Sequence, residues 1–142
     1  MEKEMYKVII AGTRTFNDYE MLEDTCDRLL VNKRQTHKVC IVSGTANGAD
    51  KLGERYARKR GMGILFFKPD WDREGRRAGI VRNCEMARNA DGLIAFWDGK
   101  SRGTAHMIGE ARRLGLSVRV VDINPQNYGQ VQDGSRMKGL HR

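Results

Sequence analysis

The strongest constraint on the fold is an alternation of short apolar runs with segments of helical periodicity. The apolar runs occupy residues 6–11, 39–42, 64–67, 92–97 and 118–121. Their length is typical of buried strands. Between them, apolar side chains recur every three or four residues, which is the spacing of an amphipathic helix. This order predicts βαβ units and a parallel sheet.

Four helices are expected, one after each of the first four strands. The third helix is separated from its strand by a polar connection over residues 68–79. The helices are predicted over residues 18–33, from about 49 to 60, 80–89 and 105–114. Asn17 begins a capping pattern before the first helix, and Gly61 is the expected C-cap of the second. The third helix is expected to bury Ile80, and the fourth to bury Ala105 and Leu114.

The fold class that follows is α/β, with a mostly parallel sheet of about five strands and right-handed crossovers. The 142 residues are enough for one domain. That domain is predicted over residues 1–123. From residue 124 the sequence is polar and has no apolar period, so residues 124–142 are expected to form a flexible C-terminal tail.

The net charge of the chain indicates which class of partner it can bind. The chain carries 26 basic and 18 acidic residues, a formal net charge of +8, which favours anionic partners such as nucleotides or nucleic acid. The first residues lack the apolar region of a signal peptide. The longest apolar run, residues 92–97, is far shorter than the ~20 residues that span a bilayer. A cytoplasmic protein without a membrane segment is therefore expected.

Metal and disulfide chemistry are not predicted. The three cysteines are widely spaced without a C-x-x-C pair, and the three histidines are scattered too: Cys26, Cys40, Cys84, His37, His106 and His141. This pattern is typical of reduced, partly buried thiols. It lacks the ligand spacing of a zinc site, so no residue is expected to bind a metal ion.

Three loops carry the expected chemistry. In open α/β sheets, ligands bind beyond the carboxyl ends of the strands, where residues 12–14, 43–50 and 98–104 fall. Each loop combines glycine, small hydroxyl residues and the start of a helix. Unpaired N–H groups at a helix start, with glycines that let a ligand approach, make an anion cradle. A phosphate-binding edge is therefore predicted.

The common nucleotide motifs are absent. Gly99-Lys100-Ser101 is similar to the end of a P-loop, but the glycine required five residues earlier is Ile94. No G-x-G-x-x-G follows a predicted strand, so ordinary dinucleotide binding is not supported.

A different set of short motifs remains. It consists of Gly12-Thr13-Arg14, Ser43-Gly44-x-Ala46-x-Gly48-Ala49-Asp50, Arg82-Asn83-x-x-Met86, Asp91 and Ser101-Arg102-Gly103-Thr104. In this order and spacing, over about residues 6–122, the chain resembles the SLOG superfamily, which includes the DprA/Smf and Lonely Guy proteins. It is most similar to the YspA-like, cpYpsA-related family. The resemblance implies a Rossmann-like three-layer fold, a nucleotide or nucleotide-derivative ligand without another cofactor, and a homo-oligomer.

The resemblance also indicates which residues contact the ligand. The predicted ligand- or phosphate-binding residues are Gly12, Thr13, Arg14, Ser43, Gly44, Gly48, Asp50, Arg82, Asn83, Ser101, Gly103 and Thr104. Ser43 and Asp50 have an alternative role as caps of the second helix. If Asp50 contacts the ligand, ribose hydroxyls are the expected partner, because its charge repels phosphate. Trp97 ends the fourth strand and is a candidate for base stacking.

Catalysis is left open. Lonely Guy enzymes carry a catalytic Glu two residues after the Thr of their phosphate loop, where this sequence has His106. Glu110 lies one helical turn further on, and Glu85 and Asp50 are the other candidate acids or bases. Two alternatives to simple ligand binding therefore remain: a phosphoribohydrolase-like enzyme, and a nucleic-acid-binding module similar to DprA.

Overall fold

The sheet has six strands. The computed structural model describes residues 3–133. Its strands are β1 (Met5–Gly12), β2 (Lys38–Ser43), β3 (Gly63–Phe66), β4 (Gly92–Trp97), β5 (Ser117–Asp122) and β6 (Val131–Asp133). Val, Ile and other branched or aromatic residues dominate β1, β2 and β4, and their near-continuous burial is typical of parallel strands covered on both faces.

The helices lie between the strands, as predicted. They are α1 (Tyr19–Thr36), α2 (Ala49–Arg60), α3 (Trp71–Glu74), α4 (Ala78–Arg88) and α5 (Arg102–Arg113). The polar connection expected over residues 68–79 carries α3 and a 3-10 turn, Gly75–Arg77. The cap of α1 is Asp18 rather than Asn17, because Asp18 accepts the N–H of Met21 at 3.1 Å. Within residues 3–133, no helix is both long and apolar enough to cross a membrane.

Strand order explains where a ligand site can form. The order is β3-β2-β1-β4-β5-β6, and only β6 is antiparallel to its neighbour. The chain leaves β1 in one direction through β2 and β3, then crosses back to pair β4 with the other side of β1. The carboxyl ends of β1 and β4 therefore flank a topological switch point. This confirms the predicted Rossmann-like α/β fold with a mostly parallel sheet.

Two apolar layers hold the helices to the sheet. Successive strand residues face opposite sides, so Ile10 packs with α1 and α2 while Ile9 packs with α4 and α5. The first layer includes Leu22, Ile41, Tyr56 and Phe96, and the second includes Val42, Met86, Leu93 and Met107. All of these side chains are almost fully buried.

Three expected core positions are wrong. Ile80 is 48% exposed, Leu114 is 39% exposed, and Ala105 is exposed. The buried faces of α4 and α5 are instead formed by Met86 and Met107 with their neighbours one turn away. These faces also bury polar side chains, Arg82 and Asn83 in α4 and Thr104 in α5.

The segment after β5 is described as far as residue 133. It forms a 3-10 turn at Pro125–Asn127 and the edge strand β6, which the sequence did not predict. Val131 packs against the first apolar layer, and the Tyr128 hydroxyl donates to Asp18 Oδ2 at 2.5 Å. The remainder of the predicted tail, residues 134–142, lies outside the described residues.

Candidate functional site

The loops after β1, β2 and β4 are tied together at Gly12 and Thr13. The Thr13 N–H donates to the Phe96 carbonyl at 2.9 Å, and its hydroxyl accepts the N–H of Asp98 at 3.2 Å. A Cβ on Gly12 would lie 2.2 Å from the Phe96 oxygen. Glycine is therefore required where β1 and the end of β4 approach each other.

A second glycine lets α2 begin beside the same loop. Gly48 has a φ of +82°, and a Cβ there would lie 2.4 Å from the Thr13 oxygen. The Ala49 N–H lies 3.5 Å from that oxygen. The start of α2 is thus held against the loop that follows β1, and the two loops form one wall.

A pocket of about 190 Å³ lies at this edge, at the switch point of the sheet. It brings together eight of the twelve predicted binding residues, from four different segments of the chain. Those eight are Gly12, Arg14, Asp50, Arg82, Asn83, Ser101, Gly103 and Thr104. The remaining lining residues, which sequence reasoning did not assign to the site, are Ala11, Ala46, Met86 and Met107. Ala46 and Met86 belong to the short motifs of the sequence, whereas nothing in the sequence marked Ala11 and Met107 as site residues.

Arg82 is a buried cation within this pocket. Its side chain is only 9% exposed, and its Nη1 donates to the Gly44 carbonyl. Its Nε donates to Asn83 Oδ1 at 3.0 Å. Burial lowers the pKa of Arg82, while the nearby charge of Asp50 acts in the opposite direction. The two bonds fix the guanidinium and leave part of its fork directed to the pocket.

Asp50 is a buried carboxyl in the same pocket. It accepts the N–H of Ala46 at 3.2 Å. Burial raises its pKa from 3.8 to about 6, although the Ala46 bond and the charge of Arg82 favour the ionised form. A Cβ on Gly44 would lie 2.9 Å from Asp50 Oδ2 and 3.0 Å from Arg82 Cδ. Glycine at position 44 therefore lets both side chains pass close to the backbone.

The first turn of α5 forms the opposite part of the lining. Asp98 accepts the N–H groups of Lys100 and Ser101, both at 2.8 Å, and shapes the preceding turn. Burial alone would raise the pKa of Asp98, but these bonds hold it below its usual value. The Ser101 and Thr104 hydroxyls lie 3.2 Å apart. A helix start offers N–H groups without intrahelical acceptors and a partial positive charge.

Four predicted binding residues build the loops without lining the pocket. Thr13, Gly44 and Gly48 make the backbone contacts described above. Ser43 is fully buried, and its hydroxyl donates to Glu54 at 2.6 Å and accepts the Thr45 N–H at 3.1 Å. Ser43 thus joins the end of β2 to the middle of α2.

Trp97 lines a separate cavity, together with Gly99, Asp122 and Asn124. Its indole N–H donates to the Ser101 carbonyl at 3.0 Å. The residue therefore braces the turn before α5. Trp97 is not among the residues that line the pocket, and base stacking by this residue stays a prediction.

His106 lies beside the pocket in a small polar cluster. Its Nδ1 is 3.2 Å from Asn83 Nδ2. Donor atoms of Cys84, His106 and Glu110 all lie within 4.8 Å of one another, a set of types that zinc accepts. The Glu110 carboxylate, however, accepts two bonds from Arg113, which lower its pKa to about 2. This ion pair already engages the carboxylate, and the prediction of no metal site stays untested.

The fold and pocket together define a class of protein: a Rossmann-like domain with a cationic, helix-capped pocket at its switch point. The YspA, cpYpsA-related SLOG family matches residues 6–73. The Gene 61 protein of Mycobacterium phage D29 is 36% identical over 121 residues, covering 80% of this chain and 94% of that protein. The chain belongs to the YspA, cpYpsA-related SLOG family, which confirms the resemblance seen in its motifs.

Two solved structures share the fold. DNA processing protein A (DprA) from Streptococcus pneumoniae superimposes with a TM-score of 0.65 at 17% identity, over 94% of this chain and 54% of DprA. The protein TM1055 superimposes with a TM-score of 0.55 at 23% identity, over 89% of this chain and 76% of that protein. The chain thus spans about half the length of DprA, and these likenesses concern the fold.

Proposed function

We propose that the protein binds a nucleotide or nucleotide derivative, with a phosphate group in the pocket at the sheet edge. The observation that carries this proposal is the convergence of Arg14, Arg82 and the first turn of α5 on one cavity. Two guanidinium groups and a helix start all favour an anion. Membership of the SLOG family agrees with the nucleotide ligand that the motifs implied.

Five of the predicted residues take definite roles in this proposal. The N–H groups of the α5 start and the Ser101 and Thr104 hydroxyls donate to phosphate oxygens, as at other anion-binding helix starts. Arg14 and Arg82 neutralise the charge. Asp50 is directed to ribose hydroxyls, since its ionised form repels phosphate.

Gly103 offers the sharpest test of the phosphate site. A Cβ there meets nothing within 4 Å, so Gly103→Asp and the neutral, equally sized Gly103→Asn both fit. An acidic residue at a helix start also favours folding. In calorimetric titrations with AMP and GMP, Gly103→Asp is expected to weaken binding about tenfold or more through charge repulsion, with Asn retaining most of the affinity. Equal affinities for all three proteins would contradict the site.

Ligand identity is tested by thermal shift with AMP, GMP, ADP-ribose, NAD, ATP and a short single-stranded DNA. A ligand at 100 times its Kd adds roughly 2.7 kcal/mol of stability. A shift with one small nucleotide identifies the base that the pocket accepts. No shift with any small nucleotide would argue against nucleotide binding.

A second candidate function, a nucleotide hydrolase, is favoured by Asp50. Its carboxyl lines the pocket with a pKa of about 6, close to the operating pH that suits a general acid or base. Neither His106 nor Glu110 lines the pocket, and Arg113 holds Glu110 ionised. Incubation with nucleoside monophosphates, comparing wild type with Asp50→Asn, would show release of the free base if the enzyme acts this way. No release over a range of pH would exclude it.

Nucleic-acid binding remains the other alternative, because the chain carries a net charge of +8. Binding to many phosphates releases many counterions, so affinity for single-stranded DNA would fall steeply between low and physiological salt. Binding of a mononucleotide through one phosphate has a much shallower salt dependence. Self-association and a cytoplasmic location also remain proposals, the first measurable by sedimentation.

A further inference from the structure

A second cavity adjoins the proposed phosphate pocket. It measures about 260 Å³ and shares Arg14, Ala46 and Arg82 with that pocket. Its other lining residues come from the loop after β2 and the connection after β3: Thr45, Asn47, Lys68, Pro69 and Trp71. Because the two cavities share walls, one extended ligand can occupy both.

Trp71 is the unusual residue in this second cavity. It is 53% exposed, although a buried indole removes 150–250 Å² from water. Its backbone is nevertheless fixed by a short helix. Trp71 begins α3, whose cap Asp70 accepts the Arg73 N–H at 3.1 Å. The edge of the ring lies near α4, since Trp71 Cη2 would be 4.0 Å from a Cβ on Gly79.

The segment that carries Trp71 is fixed to the pocket. The Phe67 N–H donates to the Ser43 carbonyl at 2.8 Å, which joins the end of β3 to the end of β2. Arg82 Nη2 would lie 3.7 Å from the same Gly79 Cβ, so the guanidinium and the indole approach one site on α4. The indole thus lies beside the cation that borders both cavities.

The charge of the second cavity suits an anionic ligand with a flat, neutral part. Each of its lining residues is neutral or basic, with Arg14, Lys68 and Arg82 as the cations. Thr45 adopts a φ of +66°, a strained conformation that is found most often at binding sites. The Asn47 amide supplies both a donor and an acceptor, as the edge of a base requires.

Building on the proposed function, we propose that this second cavity is the nucleobase subsite and that Trp71 stacks on the base. The phosphate then lies in the pocket at the α5 start, with Arg82 between the two subsites. Stacking on an aromatic face accepts any base. The Asn47 amide is the group placed to distinguish one base from another.

The test distinguishes binding of the base from binding of the phosphate. It compares the affinities for AMP, GMP and UMP with the affinity for ribose 5-phosphate, which has no base. Trp71→Ala is expected to weaken binding of the nucleotides about tenfold or more, and to leave the affinity for ribose 5-phosphate unchanged. Trp71→Phe keeps an aromatic face and is expected to retain most of the nucleotide affinity. Phe66→Ala removes an equally exposed aromatic that lies outside both cavities and is the matched control.

Different results overturn different claims. If wild type binds both kinds of ligand and Trp71→Ala binds the nucleotides equally well, stacking is wrong while the phosphate site stands. If Trp71→Ala weakens ribose 5-phosphate to the same extent, the residue supports the phosphate site or the fold, and stacking is again wrong. If wild type binds none of the ligands, both the base subsite and the proposed function are wrong.

Discussion

Asp50 and Arg82 show how a single loop glycine can bring opposite charges together in a buried place. Both side chains pass within about 3 Å of the position that a Cβ on Gly44 would occupy. Asp50 is only 4% exposed, and burial costs a charged carboxylate more than a neutral one. The rise in its pKa means that the folded protein holds this proton more tightly than the unfolded chain does.

The pH dependence of stability follows from that rise. The contribution of Asp50 is fully present below its ordinary pKa of 3.8 and is lost as the pH rises through about 6. Such a change corresponds to roughly 3 kcal/mol in the free energy of unfolding. The side chain of Asp50→Asn has no proton to lose. In urea unfolding from pH 4 to 7, the free energy of unfolding is therefore expected to show this decline in wild type only. Parallel pH profiles for the two proteins would refute the assignment of the decline to Asp50.

At the scale of the element, two glycines in the middle of helices differ in the space around them. Gly53 lies in α2 directly over β1, where a Cβ would approach the Ile10 Cβ to 2.8 Å. The missing side chain sets how closely α2 packs on the sheet, and so how closely its first turn approaches the pocket. Gly109 lies in α5 on the exposed face, where a Cβ would meet nothing within 4 Å.

Alanine at these two positions is therefore expected to act with opposite signs. Gly53→Ala forces α2 away from Ile10 and should destabilise the protein by about 1–3 kcal/mol. Gly109→Ala restricts the unfolded chain without a clash and should stabilise by about 0.5–1 kcal/mol. Thermal and urea unfolding of both variants measure the difference. Destabilisation by Gly109→Ala would show that α5 has a close neighbour at this face.

At the scale of the whole molecule, the short antiparallel strand β6 covers the edge of β5. β6 pairs with residues 119–121 of β5, and Val131 extends the first apolar layer. The Tyr128 hydroxyl, whose pKa rises to about 12 through burial and its bond to Asp18, joins this segment to the start of α1. The predicted domain end at residue 123 would remove all three contacts.

A chain ending at residue 123 is accordingly expected to be less stable than the full chain. The loss of Val131 packing and of the ladder bonds should cost about 2 kcal/mol or more. The bare edge of β5 should also favour association. Circular dichroism melts and sedimentation of the two chains give both quantities. Equal melting temperatures would support residue 123 as the true domain boundary.

Part of the site was predictable because it depends on local patterns. Arg14 follows β1 and precedes α1, whereas Ser101 and Gly103 lie at the start of α5, which follows β4. Parallel strands bring such positions to one edge. The positions of the two tryptophans were not predictable in this way. Trp97 ends a strand but turns to the Ser101 carbonyl, whereas Trp71 occupies a short helix that has no periodic pattern.

The sequence by itself determined the order of the first five strands and the four longer helices, the α/β class and the edge where small residues gather. These properties follow from apolar periodicity and from glycine and hydroxyl residues at strand ends, all of which act over a few neighbouring positions. Only the tertiary structure decided that Ser43 braces a loop while Arg82 is buried beside Asp50, and that Trp71 faces the second cavity. Such outcomes depend on which segments meet across the sheet, because burial and charge are set by neighbours that are distant in sequence.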